Sequence, residues 1–519
     1  MATMVLMANK SPRAAPRLRV CALVQALLLA GIAQPVMASD WKVTPNLTVS
    51  ERYTDNVNLA PSSGTKESDF ITQVRPGIQI NKTGRRLKVN INYSLQSLTY
   101  LNNNQNNRLN HQLSGFATAE LLEDFLFMDL NSAIYQQNIN ALAPIGLGNT
   151  NATNNLTTVG TYSVSPYIRK RFGSFANGDL RVRQSGVYYN SQGISNTVSD
   201  SVIGSLNSGS QFNDFFWGLN YSYTKNNNQS TADTEFEKAS ATLGYALTRK
   251  LRVHGTGGIE RNNFVSLGNN KVDGPFWNAG FDWAPTIRTQ IGATVGQRFF
   301  GNTYSFNLTE RTRRTTWNAR YSEDITTTSA TTLSAALVGV LYECVTPPPG
   351  AVSGIVQGRL VWSLAPGTTQ ADITSNGCVP TFGLFSTNLS LVNDVFVAKN
   401  LNFGVAYSLG RSLFSLNGFN LRRDFQQGGS YDRQTGVFAG WNWRLTPVTS
   451  FNLNGNVSRI EVPTSNRVDD FWAVSAGLNR QFQPKLSGSV IARHQVRSSN
   501  QPGIGYTENS ITALVNMSF

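Results

Sequence analysis

Apolar and polar residues alternate along most of this chain. Leu87, Val89, Ile91, Tyr93 and Leu95 interleave with Lys88, Asn90, Asn92, Ser94 and Gln96. Trp217, Leu219, Tyr221 and Tyr223 do the same with Gly218, Asn220, Ser222 and Thr224, as do Phe451, Leu453, Gly455 and Val457 with Asn452, Asn454, Asn456 and Ser458. Successive side chains of a strand point to opposite faces, so each segment predicts a strand with one oily and one wet face. The wet faces hold Asn, Ser, Thr and Gln more than charge, which suits a water-filled lumen better than the outside of a sandwich.

Short connections alternate with long ones. Tight turns are read at Asn81 to Arg86, Thr248 to Lys250, Pro447 to Thr449 and Gln483 to Lys485. Longer polar links run from Thr54 to Glu67, Asn102 to Arg108, Asn138 to Leu156, Ser191 to Ser201, Lys225 to Thr234, Asn262 to Gly274 and Gln426 to Arg433. That asymmetry is the one expected of short periplasmic turns and long extracellular loops. Trp217, Trp277, Trp283, Trp317, Trp441, Trp443 and Trp472 fall near strand ends, where interfacial girdles form. The last segment carries Ile511, Ala513, Val515, Met517 and Phe519 on one face, and with its final aromatic it resembles the C-terminal insertion signal of Gram-negative outer-membrane barrels.

The expected fold is therefore all-β, a single large antiparallel transmembrane β-barrel of about 22 strands, within a range of roughly 18 to 24. A β-structure in hydrocarbon must close, since an unpaired edge leaves backbone groups without partners. At that size side chains cannot fill the interior, so a lumen is expected. The wall residues start at Trp41, directly after the leader, and no plug domain is expected. From Thr327 to Leu391 the alternation stops in a stretch holding Cys344, Pro347 to Pro349 and Cys378. It is expected to be an extracellular loop, either constricting or covering the pore, or lying on the surface stapled by a Cys344–Cys378 disulfide.

Composition and charge narrow the setting. Charged residues make up 14% of the chain, well under the roughly 25% of soluble proteins. Lys10, Arg13, Arg17 and Arg19 precede an apolar run from Val20 to Ala30 and the small residues before Ser39, which predicts a secretory signal peptide over 1–38 and a barrel over 39–519. With 44 basic and 30 acidic residues the chain carries +14, and the leader holds four of the basic and none of the acidic residues, leaving +10. An exported protein rarely meets nucleic acid, so anionic polysaccharide, lipid head groups or export-system proteins are the expected partners, besides outer-membrane lipid and the barrel assembly machinery.

Candidate chemistry is sparse. The strand register places Arg181, Arg183, Arg252, Arg320, Arg422, Arg444 and Arg493 inside, either as a positive track for an anionic polymer or as arginines paired with lumen carboxylates such as Asp324. His111, His254 and His494 stand far apart in no motif. No phosphate loop, zinc spacing or nucleophile elbow occurs, so neither catalysis, cofactor nor metal is expected.

Glu51 to Val57, Ser68 to Thr72 with Pro76-Gly77, Arg313 to Trp317, and Tyr321 to Thr326 together resemble the outer-membrane β-barrel family associated with PEP-CTERM/exosortase systems. The resemblance implies an outer-membrane location and a genetic setting beside exopolysaccharide and protein-sorting systems in environmental Gram-negative bacteria; it supplies no catalytic residues. The expected role is a passage or scaffold in exopolysaccharide export or PEP-CTERM protein sorting. The alternatives are a general diffusion porin, the barrel sheath of an extracellular electron conduit and, least favoured, an outer-membrane hydrolase.

Overall fold

The computed structural model describes residues 41–191, 193–266, 271–337, 341–343, 352–356, 359–363, 379–381 and 389–519. The expected leader, residues 1–38, and both Cys344 and Cys378 lie outside the described residues.

One 22-stranded antiparallel sheet accounts for nearly all regular structure. Its strands run from 10 residues, Thr289–Arg298, to 17, Leu156–Phe172. Each pairs with its sequence neighbours, and the first, Trp41–Thr54, also pairs with the last, Tyr506–Ser518, from Asn46 opposite Ser518 to Thr54 opposite Ser510. The ring is closed. The strand count agrees with the sequence expectation, because each crossing carries its own local alternation and can be read without reference to the others.

Burial is inverted relative to a water-soluble domain. On the last strand Ile511 and Val515 are 54% and 46% exposed, while Glu508 and Ser510 beside them are 1% and 5% exposed. Directly opposed residues share a face, so pairing carries this assignment round the ring. Outside stand Val49, Tyr53, Leu219, Trp277, Trp283, Trp443, Leu453 and Val457, all exposed. Trp283 and Trp443 lie toward the short turns and Trp277 toward the long loops, as two girdles would. No described helix is long and apolar enough to cross a membrane.

Links at one end are tight. The Gly410-Arg411 turn joins Val395–Leu409 to Ser412–Phe425, with Gly410 at φ +57, a left-handed conformation that costs glycine little. Most links at the other end are longer, although Phe299-Phe300 alone joins Thr289–Arg298 to Gly301–Arg311; the longest lies between Thr315–Thr327 and Val395–Leu409. It is not structureless. A helix, Thr328–Leu337, opens it, and Leu341–Glu343, Val352–Val356, Arg359–Ser363 and Val379–Thr381 form a separate small sheet.

Candidate functional site: an inward-folded loop and its clamp

The link between Leu126–Asn138 and Leu156–Phe172 turns into the lumen. Its backbone oxygens meet inward-facing side chains from both flanks. Arg497 donates to the carbonyls of Ala141 and Ala143, each at 2.5 Å, and Arg493 to that of Leu147 at 3.1 Å. The Tyr506 hydroxyl donates to the Ile145 carbonyl. From the other flank Arg108 reaches the carbonyls of Asn149 and Asn151 at 2.5 and 3.0 Å, and the Tyr100 hydroxyl that of Thr150 at 2.8 Å. Irregular backbone at this depth must find partners within the protein, and here the wall provides them.

Two buried carboxylates stand behind this arrangement, one holding the loop's own Asn151 and the other holding Arg497. Glu508, 1% exposed, accepts from Arg52 at 2.7 Å, Thr54 at 2.6 Å and Asn151 at 2.8 Å, and also from Gln495. Asp469, 2% exposed, holds Arg497 at 2.5 Å and Arg467 at 2.9 Å. Charge-assisted bonds of this kind are the strong ones, and their donors are rigid when both sides are satisfied. Ala141 and Ile145 add an apolar seat against Leu389 and Ile460.

Two further pieces cross the long-loop end. The helix Thr328–Leu337 is started by Thr327, whose hydroxyl accepts from the Ala330 backbone N–H at 3.2 Å. Leu333 packs on Ala133, Tyr135, Val159, Val187 and Tyr189, and the Tyr189 hydroxyl bonds Thr332 at 3.1 Å. The segment from Leu389 returns along the inward loop, with the Leu391 N–H on the Ile139 carbonyl at 2.9 Å and Arg423 on the Ser390 carbonyl at 3.0 Å. Arg423 is in turn paired with Asp432 at 2.5 Å.

Most of the arginines expected inside do face the lumen. By register Arg181, Arg183, Arg252, Arg320, Arg444 and Arg493 share the inner face. They are spread over five strands around the ring and do not form a contiguous row. Arg181 pairs with Asp129 at 2.8 Å, and Asp324 pairs with Arg298 at 2.7 Å. Arg422 is a correction. The alternation that turns Phe414 and Leu416 outward also turns Arg422 outward, where it bonds Asp424 at 2.6 Å, and Arg423 takes the inner place. The polar run Arg422-Arg423-Asp424 erases the alternation at that strand end, which is why the sequence register slips there. Of the histidines, His111 and His494 face outward and His254 inward, so they share no site. Ile511, Ala513, Val515, Met517 and Phe519 occupy the outer, exposed positions of the last strand as expected.

The residues that build the clamp, Arg52, Tyr100, Arg108, Asp469, Arg497, Tyr506 and Glu508, were not singled out from sequence. The available signal was charge and phenol on the wet register at the long-loop ends of the first and last few strands.

No family model and no curated protein matches this sequence. Among solved structures, the FrpB iron transporter from Neisseria meningitidis superposes with a TM-score of 0.51 at 9% identity, over 93% of this chain and 83% of that one. A mutant of the ferric enterobactin receptor PfeA from Pseudomonas aeruginosa gives 0.48 at 11% identity, over 92% and 81%. The siderophore receptor PirA from Acinetobacter baumannii gives 0.46 at 8%, over 92% and 80%. At such identity the first of these likenesses speaks for the fold alone: the chain is a large closed antiparallel β-barrel of the outer-membrane type.

Proposed function

We propose that the protein sits in the outer membrane of a Gram-negative bacterium and provides a passage whose bore is set by its own 139–155 loop, without a separate plug domain. The observation that carries this reading is the loop's attachment: seven of its carbonyls are bonded to the inner wall, a fixed constriction in a lumen too wide for side chains to fill. The setting, exopolysaccharide export or PEP-CTERM protein sorting, rests on the sequence resemblance. Nothing in the described lumen favours catalysis, and no group of three metal-ligating side chains occurs among the described residues.

Planar-bilayer recording tests the passage. Replacing 140–154 with a short Gly-Ser link is expected to raise single-channel conductance severalfold over the intact protein. A folded barrel that stays silent after this change and after removal of 328–391 is not a passage. The same recordings separate the readings: a general diffusion porin conducts when intact, while a barrel sheath without its electron-carrying partner conducts only when opened.

A further inference from the structure

The cations of this barrel are divided unevenly between its two ends. Arg249, Lys250, Arg288, Arg313, Arg314 and Lys485 all stand in short turns, all are exposed, and none forms an ion pair among the described residues. Lys170, Arg171, Arg311 and Arg444, also exposed, lie just inside the strand ends beside them. The acidic residues of these turns are Glu123, Asp124 and Asp214, with Glu120, Asp179 and Glu310 just inside the strand ends, and Glu123 is taken by Arg85 and Arg86 at 2.5 and 2.8 Å. A ring of unpaired positive charge therefore surrounds one mouth, and such a ring concentrates anions.

The inner wall at the same end continues it. Phe127 and Tyr167, both inward-facing, stack at 5.1 Å and 17°. Arg181 lies 3.9 Å from the Tyr167 ring and Arg169 5.6 Å from each ring, with Arg169 only loosely paired to Asp179 at 3.6 Å. Tyr167 is buried between Phe127 and Arg181, and Arg181 is held by Asp129 at 2.8 Å, so the surface open to a ligand is the half-buried Phe127 ring with the exposed Arg169 beside it. A ring next to a guanidinium fork suits a polymer that alternates apolar ring faces with carboxylates or phosphates.

We propose that the short-turn mouth binds a linear polyanion and presents it to the lumen over Phe127 and Arg169. The proposal deepens the passage reading by naming the class of cargo, and rests on it for calling this mouth periplasmic. Anionic lipid head groups would be drawn to the same turns, but they have no reason to engage rings on the inner wall.

The test is binding of labelled polygalacturonate and polyphosphate to the full chain folded in detergent, with neutral dextran as control. Both polyanions are expected to bind, dextran is not, and added salt should weaken the binding steeply. The fourfold variant R249E/K250E/R313E/R314E, altered only at exposed turn positions, is expected to lose about tenfold or more in affinity. Phe127→Leu with Arg169→Gln should weaken polygalacturonate binding and leave adsorption to phosphatidylglycerol vesicles unchanged. Heat-modifiable gel migration verifies that each variant is a folded barrel. Wild-type binding by the fourfold variant, or adsorption to phosphatidylglycerol vesicles with no polyanion bound, would overturn the proposal. A barrel that conducts but binds no polyanion overturns this inference alone, whereas a silent barrel that binds it strikes the passage reading.

Discussion

The two ends of this barrel use arginine in opposite ways. At the long-loop end Arg52, Arg423, Arg467 and Arg497 are nearly buried, and each has a buried carboxylate within 2.9 Å, Arg467 and Arg497 sharing Asp469. At the short-turn end Arg288, Arg313 and Arg314 are exposed and unpaired among the described residues. A buried guanidinium has given up its water and must be repaid by fixed acceptors, so it holds geometry; an exposed one keeps its water and contributes field. The same residue type is a clamp in one place and a source of potential in the other.

The largest effect should come from breaking the clamp. Arg497→Ala removes its two bonds to the inward loop and leaves Asp469 buried with Arg467 as its one remaining cation among the described residues. Loss of one member of a buried pair costs on the order of 3 kcal/mol. Hydrogen exchange at 141–147 should accelerate about a hundredfold, while the strands on either side keep their protection. Arg313→Ala, at an exposed position, should shift stability by less than about 0.5 kcal/mol. Equal losses in the two variants would erase the distinction between the ends.

A smaller change sharpens it from the other flank. Tyr100→Phe keeps the ring, which is 1% exposed among Val57, Ile71 and Leu98, and deletes only the hydroxyl that donates to the Thr150 carbonyl. The expected cost is about 1 kcal/mol, with faster exchange at 149–152 and no change at 141–147. Loosening that spread along the whole loop would mean that the two flanks act as a single unit.

How much of this was visible in the sequence follows from the range of the forces involved. Alternation is local, so the strands, the closed wall and the outer face of the last strand could all be read from neighbouring residues. The fate of 139–155 could not, because Ala141 and Ala143 meet a donor more than 350 residues away, Arg497. Nothing in an Asn-rich loop distinguishes one that folds inward from one that hangs in solvent. The cysteines and prolines between Thr327 and Leu391 mark that stretch in the sequence, yet the loop whose carbonyls the inner wall holds is the shorter link, 139–155. The arginines illustrate the same limit: parity fixed the face for Arg181 and Arg493, and failed at Arg422 where the polar run hid it.

Asp394 gives the finest test, because it is a carboxylate at the clamped end with no cation beside it among the described residues. Burial pushes its pKa above the usual 3.8, although the backbone N–H groups of Val395 and Gln427 pull the other way. A carboxyl whose folded pKa is raised binds its proton more tightly when docked. Docking of this segment is therefore strongest below pH 3.8 and weakens as pH rises through the folded value. Its neighbour Asn393 ties the same segment to Ser195 and Gly193, each at 2.9 Å, so loosening should be read as faster exchange over 389–394 and 193–195 together. Asp394→Asn removes the charge and should hold protection there, the observed exchange relative to the intrinsic rate at each pH, constant across that pH range, with barrel stability unchanged. A pH dependence that survives the substitution would assign it to another group, and the contrast between paired and unpaired charge at this end would lose its one internal control.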